Sequence, residues 1–191
     1  MFDLDRFIES CRATLSEPTP LLAIRDLLTA TLERPGDVEA ALGTPTEGGI
    51  KPLHRSSDLT VLNIVWAPGM TLYPHNHHMW ALIGLYGGRE DNLFYRRVPE
   101  RQGSGGVEQA GAKELRIKDV GVLGEEIIHS VRNPLLRQFT GAIHVYGGDF
   151  FSMSRSEWDP ETLTERPYDT QRVIEVFAEA NERFAAEQRD G

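Results

Sequence analysis

Gly69-Met-Thr-Leu-Tyr-Pro-His75-Asn-His77-His-Met-Trp80-Ala-Leu-Ile83-Gly84-Leu-Tyr-Gly-Gly88 sets two histidines, one residue apart, between glycines that punctuate a strand pattern. Pro74 restricts its neighbour to extended geometry, so the two histidines are expected on a strand or at its lip. At i and i+2 of a strand they share one face. His129, about fifty residues on, offers a third imidazole from a distant strand. Three neutral nitrogen ligands suit a divalent first-row metal and leave coordination positions open, as a catalytic site requires. An isolated His-x-His pair is ordinary on a half-exposed strand, so the flanking glycines and the later histidine carry the argument. His78 points the other way on a regular strand, and a bulge there would reopen the choice between His77 and His78.

Outward from this stretch, short strand patterns recur: Thr60–Trp66, Thr71–His77, Trp80–Tyr86, Asn92–Val98, Glu114–Lys118, Gly121–His129, Gln138–Tyr146 and Phe150–Met153. Gly and Pro turns separate them every ten residues or so, which predicts an all-β barrel or sandwich. Arg101–Gly106 reads as the most flexible loop. Before residue 53 the periodicity is helical: residues 2–15, 21–32 and 38–42, then a turn-rich linker over 43–52. After Trp158-Asp-Pro the chain turns helical again, with Asp169 as the cap of a helix over 170–187. The expected organisation is one domain: a helical extension (1–52), a barrel with the metal site (53–158) and a C-terminal helical extension (159–191), the helices covering barrel edges or its outer face.

Composition excludes other classes. The chain has 191 residues, 40% hydrophobic and 26% charged, with net charge −9. With no basic run, nucleic acid is not expected as a partner. No apolar stretch is long enough to cross a bilayer, and the N-terminus lacks a basic-then-apolar export pattern. Cys11 is the only cysteine, so no intrachain disulfide can form, and a cytoplasmic setting is expected. Cys11 reads as a small buried apolar residue. There is no phosphate-cradling glycine loop, Ser-His-Asp set or Cys-x-x-Cys pair.

Gly69, His75, His77 and Gly88 match the first cupin motif, G-x5-H-x-H-x3-4-E-x6-G, with Ala81 at the carboxylate position. His129-Ser-Val-Arg-Asn133 matches the core of the second, although Gly124 and Glu126 replace its earlier Pro and Gly. A cupin without the acidic ligand resembles the thiol dioxygenases, cysteine dioxygenase and its relatives. The segment His75-Asn-His77-His-Met-Trp80-Ala-Leu-Ile83-Gly84 is similar to the His-Asp-His-x-x-Trp-Gly-x-Ile-Gly of the 3-mercaptopropionate branch. Ala142-Ile-His144-Val-Tyr146 is similar to that family's Ser-x-His-x-Tyr strand, with alanine in place of the serine. An incidental inward His and Tyr on a barrel strand is the alternative for this stretch.

The resemblance covers roughly residues 54–155 and implies a mainly β cupin barrel with N- and C-terminal α-helices. It implies Fe(II) held by His75, His77 and His129, with nickel, zinc or copper also accepted by such a site. It implies oxidation of a small thiol carboxylate, of the 3-mercaptopropionate or cysteine type, to its sulfinate by dioxygen. Tyr146, oriented by His144, would act at the site. Arg155, nine residues after Tyr146, matches the branch's carboxylate-binding arginine. A surface pairing of Arg155 with Glu157 or Asp159 is the alternative, and Arg55 is the fallback. The cysteine that some relatives crosslink to the tyrosine falls near Ala81, which excludes a crosslink. A cupin oxygenase of a non-thiol substrate, a non-catalytic metal- and small-molecule-binding cupin and a metal-free isomerase stay open. A homodimer is plausible from exposed barrel edges.

Overall fold

The computed structural model describes residues 1–98 and 106–190. Most of the loop expected at Arg101–Gly106 lies outside the described residues. Three helices come first: α1 (Leu4–Thr14), α2 (Pro20–Leu32) and α3 (Pro35–Leu42). Asp3 caps α1 by accepting from the Arg6 amide at 3.1 Å, and proline opens both α2 and α3, where a missing N–H costs nothing.

Eleven strands are assigned among the described residues. They are β1 (Gly49–Arg55), β2 (Thr60–Trp66), β3 (Thr71–His75), β4 (Ala81–Gly87), β5 (Arg89–Arg97), β6 (Val107–Arg116), β7 (Val120–Leu123), β8 (Ile128–Arg132), β9 (Thr140–Tyr146), β10 (Ser156–Trp158) and β11 (Glu165–Pro167). Helix α4 (Thr170–Asp190) follows, and its expected cap is in place: the Gln171 amide donates to Asp169 Oδ1 at 2.9 Å.

All named strand pairs are antiparallel, in two sheets ordered β1-β2-β9-β4-β7 and β11-β10-β3-β8-β5-β6. From β2 to β5 and again from β7 to β10, successive strands alternate between the sheets, the winding of a double-stranded β-helix. The fold is mainly β with helices at both ends, as the sequence predicts.

Strand periodicity sorts two cores. On β2, β4 and β9 one face (Leu62, Ile64, Trp66; Ala81, Ile83, Leu85; Ala142, Tyr146) is buried between the sheets. The other face (Val61; Leu82, Tyr86; Ile143, Val145) is buried against Ile24, Leu28 and Leu32 of α2. Each fully buried aliphatic side chain contributes roughly 1.5–3 kcal/mol, so a strand apolar on both faces commits to lying under a helix. The N-terminal helices therefore cover the outer face of the five-stranded sheet. Helix α4 adds Val173, Phe177 and Ala180 to the inter-sheet core, with Phe177 stacked on Trp66 at 5.4 Å.

Several local expectations are corrected. The linker over 43–52 gives way at Gly49 to β1, which pairs with β2. The single strand expected over 121–129 is two, β7 and β8, split by the turn after Leu123. The strand expected at Phe150–Met153 is a turn, and extended structure resumes only at Ser156.

Candidate metal centre

β3 and β8 bring the first two histidines together, because His75 lies directly opposite His129 in their register. Leu72 pairs with Val131 and His75 with His129, so β3 carries one extra residue between them, at Tyr73-Pro74. A regular strand would send Leu72 and His75 to opposite faces, three residues being an odd step. The bulge turns both inward, and Pro74 sits where an N–H is dispensable.

The strand ends at His75, two residues earlier than expected, and His77 is delivered by an irregular turn. Asn76 holds that turn: its amide donates to Ser156 O at 3.1 Å and its Oδ1 accepts from the Ser156 amide at 2.9 Å. His78 takes the left-handed conformation (φ 53°), which sends its ring to the exposed side. The bulge falls before the pair, so His77 keeps the inward position.

The motif residues that are not ligands shape the frame. Gly69 and Gly88 have φ of 69° and 77°. A Cβ on Gly88 would stand 2.4 Å from Thr140 Oγ1 and 2.8 Å from Phe139 O. Asn133 is fully buried and ties the barrel rim. Its Nδ2 donates to Gln138 O at 2.9 Å and Trp66 O at 3.1 Å, while its Oδ1 accepts from the Leu135 amide at 3.0 Å.

The ligand atoms of His75, His77 and His129 all lie within 4.8 Å of one another, and among the described residues no carboxylate or thiol joins them. All three rings are buried, with centroids 4.6 to 5.1 Å apart. Burial lowers every one of their pKa values, that of His75 to about 4. At neutral pH all three are therefore in the neutral, ligating form.

Two of the three rings have an orienting partner on the outer nitrogen: His75 Nδ1 meets Tyr73 O at 3.0 Å, and His129 Nδ1 meets Asn92 Oδ1 at 2.8 Å. This leaves His129 Nε2 buried without a hydrogen-bond partner among the described residues. An orphaned imidazole nitrogen facing two other imidazoles is what a metal ion satisfies, so the donor set fits one. The enclosed space is about 20 Å³, room for an ion or a single water.

The remaining sequence candidates divide. His144 and Tyr146 face inward from β9 and share a hydrogen bond at 3.1 Å (His144 Nδ1 to the Tyr146 hydroxyl). Burial raises the Tyr146 pKa far above the phenol range, so it keeps its proton, and lowers His144 to about 3. The tyrosine ring meets His77 at 5.1 Å. With Ala142 in place of a hydroxyl, His144 Nε2 is left buried without a partner among the described residues. Ala81 stands opposite Tyr146 across the β4–β9 pair.

Arg155 lies between two aromatic rings, its guanidinium carbon 3.8 Å from the Phe150 centroid and 4.0 Å from that of Tyr168. Both rings line the histidine cavity. Arg155 Nη1 is buried and has no hydrogen-bond partner among the described residues. The surface pairing with Glu157 or Asp159 is not formed; those acids bind Arg166 instead. The fallback Arg55 is half exposed and fully engaged elsewhere: it grips Asp149 with two bonds of 2.8 and 2.9 Å and stacks on Phe151.

Three participants escape the sequence reading: Asn92, Glu90 and Tyr168. Asn92 and Glu90 are the inward residues of β5, Asn92 donating to Glu90 Oε1 and Trp66 donating its indole N–H to Glu90 Oε2, each at 2.8 Å. Burial lifts Glu90 to about 7 against the pull of those two bonds. Polar residues at alternate positions of a strand within a hydrophobic barrel were the signal available. Tyr168, after β11, had none.

No family model matches the chain. Solved structures similar in fold include a cupin-family protein with a double-stranded β-helix fold from Methanocaldococcus jannaschii (8% identity, TM-score 0.45, 56% of this chain and 85% of that one). A cupin superfamily protein from Desulfitobacterium hafniense (15%, 0.43, 58% and 87%) is another. Bacillus subtilis oxalate decarboxylase is similar over a smaller part of its length (16%, 0.42, 57% and 28%). With the winding of the two sheets and the motif glycines in place, the fold is of the cupin type. No helix among the described residues is long and apolar enough to cross a membrane.

Proposed function

We propose that the protein is a non-haem iron dioxygenase that oxidises a small thiol carboxylate to its sulfinate. The observation that carries this reading is Arg155, half-buried with its Nη1 enclosed and unpartnered among the described residues, beside three neutral imidazoles with no acidic ligand. Iron(II) held by His75, His77 and His129 would supply a centre that binds a thiolate and activates dioxygen. The reaction needs no external reductant, since thiolate plus dioxygen gives the sulfinate with atoms and charge in balance.

The chain's own residues set the geometry. Arg155 offers a two-pronged donor to the carboxylate, and its close contact with the Phe150 and Tyr168 rings restrains that fork. Tyr146, protonated and tied to His144, donates toward the reacting sulfur or oxygen. Leu72, Val131 and Phe150 exclude water. The cavity as it stands admits an ion or a water, so a three-carbon acid requires a wall to move. Phe150, on the irregular segment between β9 and β10, is a wall residue that no strand holds.

One observation favours a second reading, a non-catalytic metal- and small-molecule-binding cupin: His144 lacks the hydroxyl partner that Ala142 removes. Iron(II)-loaded protein incubated under oxygen with 3-mercaptopropionate, cysteine and cysteamine separates the two. Sulfinate from a carboxylate-bearing thiol, with cysteamine far slower, is expected. No sulfinate from any of them refutes the dioxygenase reading, and stoichiometric metal without oxygen uptake supports the second.

A further inference from the structure

Trp66, Glu90 and Asn92 form a hydrogen-bonded row that thiol oxidation does not by itself require. Glu90 is fully buried, and its two recorded partners are both neutral. A carboxylate held this way is costly unless something nearby compensates it. Each bond in the row dictates the next. An indole N–H can only donate, so Glu90 Oε2 accepts. Glu90 Oε1 can then take the Asn92 amide N–H, which turns Asn92 Oδ1 toward His129. A carbonyl oxygen can only accept, so His129 Nδ1 carries the ring proton. Its Nε2 is left as a bare lone pair, the same atom that lies buried and unpartnered beside His75 and His77.

We propose that Glu90 and Asn92 are positioning residues of the metal centre: together they lock His129 in the ligating tautomer and, when a cation is bound, place a carboxylate two side chains out where Ala81 leaves none in the inner sphere. Indirect placement of the charge leaves the inner sphere three neutral nitrogens, with its open positions intact. The inference rests on the metal centre and not on the identity of the substrate.

The isosteric change Glu90→Gln makes the test sharp. The new amide keeps its carbonyl toward Trp66 and turns its NH2 toward Asn92, which must flip and present its own NH2 to His129. His129 Nδ1 then accepts and Nε2 takes the proton, the wrong tautomer for binding. Adding Asn92→Asp to Glu90→Gln repairs the row. The carboxylate at 92 accepts from both His129 and the amide at 90, whose carbonyl still accepts from Trp66.

Two readouts apply to purified full-length protein. Histidine side-chain 15N spectra of the metal-free form report the tautomer, and chelator competition with cobalt(II) reports affinity. Glu90→Gln is expected to move the His129 proton from Nδ1 to Nε2 and to weaken cobalt binding roughly 10- to 100-fold, the usual scale for outer partners of a ligand. The double variant is expected to restore the tautomer and to bring affinity back to within about threefold of the parent. An unchanged tautomer and affinity in Glu90→Gln overturns the proposal. So does a double variant that folds but stays as weak as the single, which would mean packing alone. Parent protein that binds no cobalt overturns the metal centre and this inference with it. Cobalt-binding, iron-loaded protein that oxidises no thiol overturns only the dioxygenase reading.

Discussion

Arg155→Met separates a substrate clamp from a structural brace, because the two roles predict opposite effects on stability. In the free protein Arg155 is half-buried, and its enclosed Nη1 has no hydrogen-bond partner among the described residues. Leaving such a donor unsatisfied costs about 1–3 kcal/mol. Its two stacking contacts, at 3.8 and 4.0 Å from the ring centroids, return about 0.5–1 kcal/mol each where partly solvated and more where dry. These terms nearly cancel, and methionine refills the slot between Phe150 and Tyr168 with its own sulfur–aromatic contacts. The melting temperature should therefore move by less than roughly 4 °C, the equivalent of about 1 kcal/mol at this chain length. A brace paired to an acid would instead cost about 3–5 kcal/mol.

Catalysis should fall steeply. Two charge-assisted bonds to a carboxylate, at about 1.5 kcal/mol each, give about 3 kcal/mol, or roughly 100-fold in kcat/KM for 3-mercaptopropionate. Propanethiol, which lacks the carboxylate, should lose little. Differential scanning calorimetry of the metal-free form and sulfinate formation with the two thiols make the measurement. A melting point lowered by more than about 6 °C, or equal losses for both thiols, would refute the assignment of Arg155 to the substrate.

Other consequences follow from the same packing. The metal-free protein should lose stability as pH falls from 6.5 toward 4, because the unfolded chain takes up protons that the four buried imidazoles refuse; His75 alone, held near 4, accounts for roughly 3 kcal/mol across that window. Glu90, raised to about 7, opposes this by binding a proton in the folded state, but it is one group against four, so urea midpoints that stay flat from pH 7 to 4.5 would contradict the burial of the cluster. Gly88→Ala should cost about 2–5 kcal/mol in urea unfolding, from the left-handed φ together with the contact on Thr140, whereas Gly87→Ala, with nothing within 4 Å of the new Cβ, should cost about 1 kcal/mol or less. Glu157→Ala should cost about 3 kcal/mol and speed amide exchange across α4. The fully buried Glu157 carboxylate accepts from Arg166 at 2.6 Å and from the Asp169 amide at 3.1 Å, where α4 begins.

The ligands were legible because metal chemistry restricts residue type and the barrel restricts spacing: His75, His77 and His129 stand out in a chain with six histidines. That Ala142, His144 and Tyr146 share one face was legible from period two, and their place at the site only from the resemblance to the Ser-x-His-x-Tyr strand. What was not legible depends on single-residue events. A bulge at Tyr73-Pro74 leaves no compositional mark, yet it decides which face His75 occupies. Asn92 and Glu90 sit among charged neighbours that pair on the outer surface, such as Arg89 with Asp91, and alternation does not say which of its two faces is inward. Tyr168 reaches the site through the β10–β11 hairpin, a fold-back whose pairing involves only three residues on each strand. Arg155 could be aligned by its distance from Tyr146, but only its stacking between Phe150 and Tyr168, unpartnered, distinguishes it from Arg55.

Anomalous diffraction from crystals soaked in cobalt(II) would locate the cation on or off the three imidazoles. One strong peak, bonded at about 2.1 Å to a nitrogen of each of His75, His77 and His129 and to no carboxylate, is the expected result. Crystals whose three rings stay empty, or whose cobalt sits on the surface acids instead, would contradict the account.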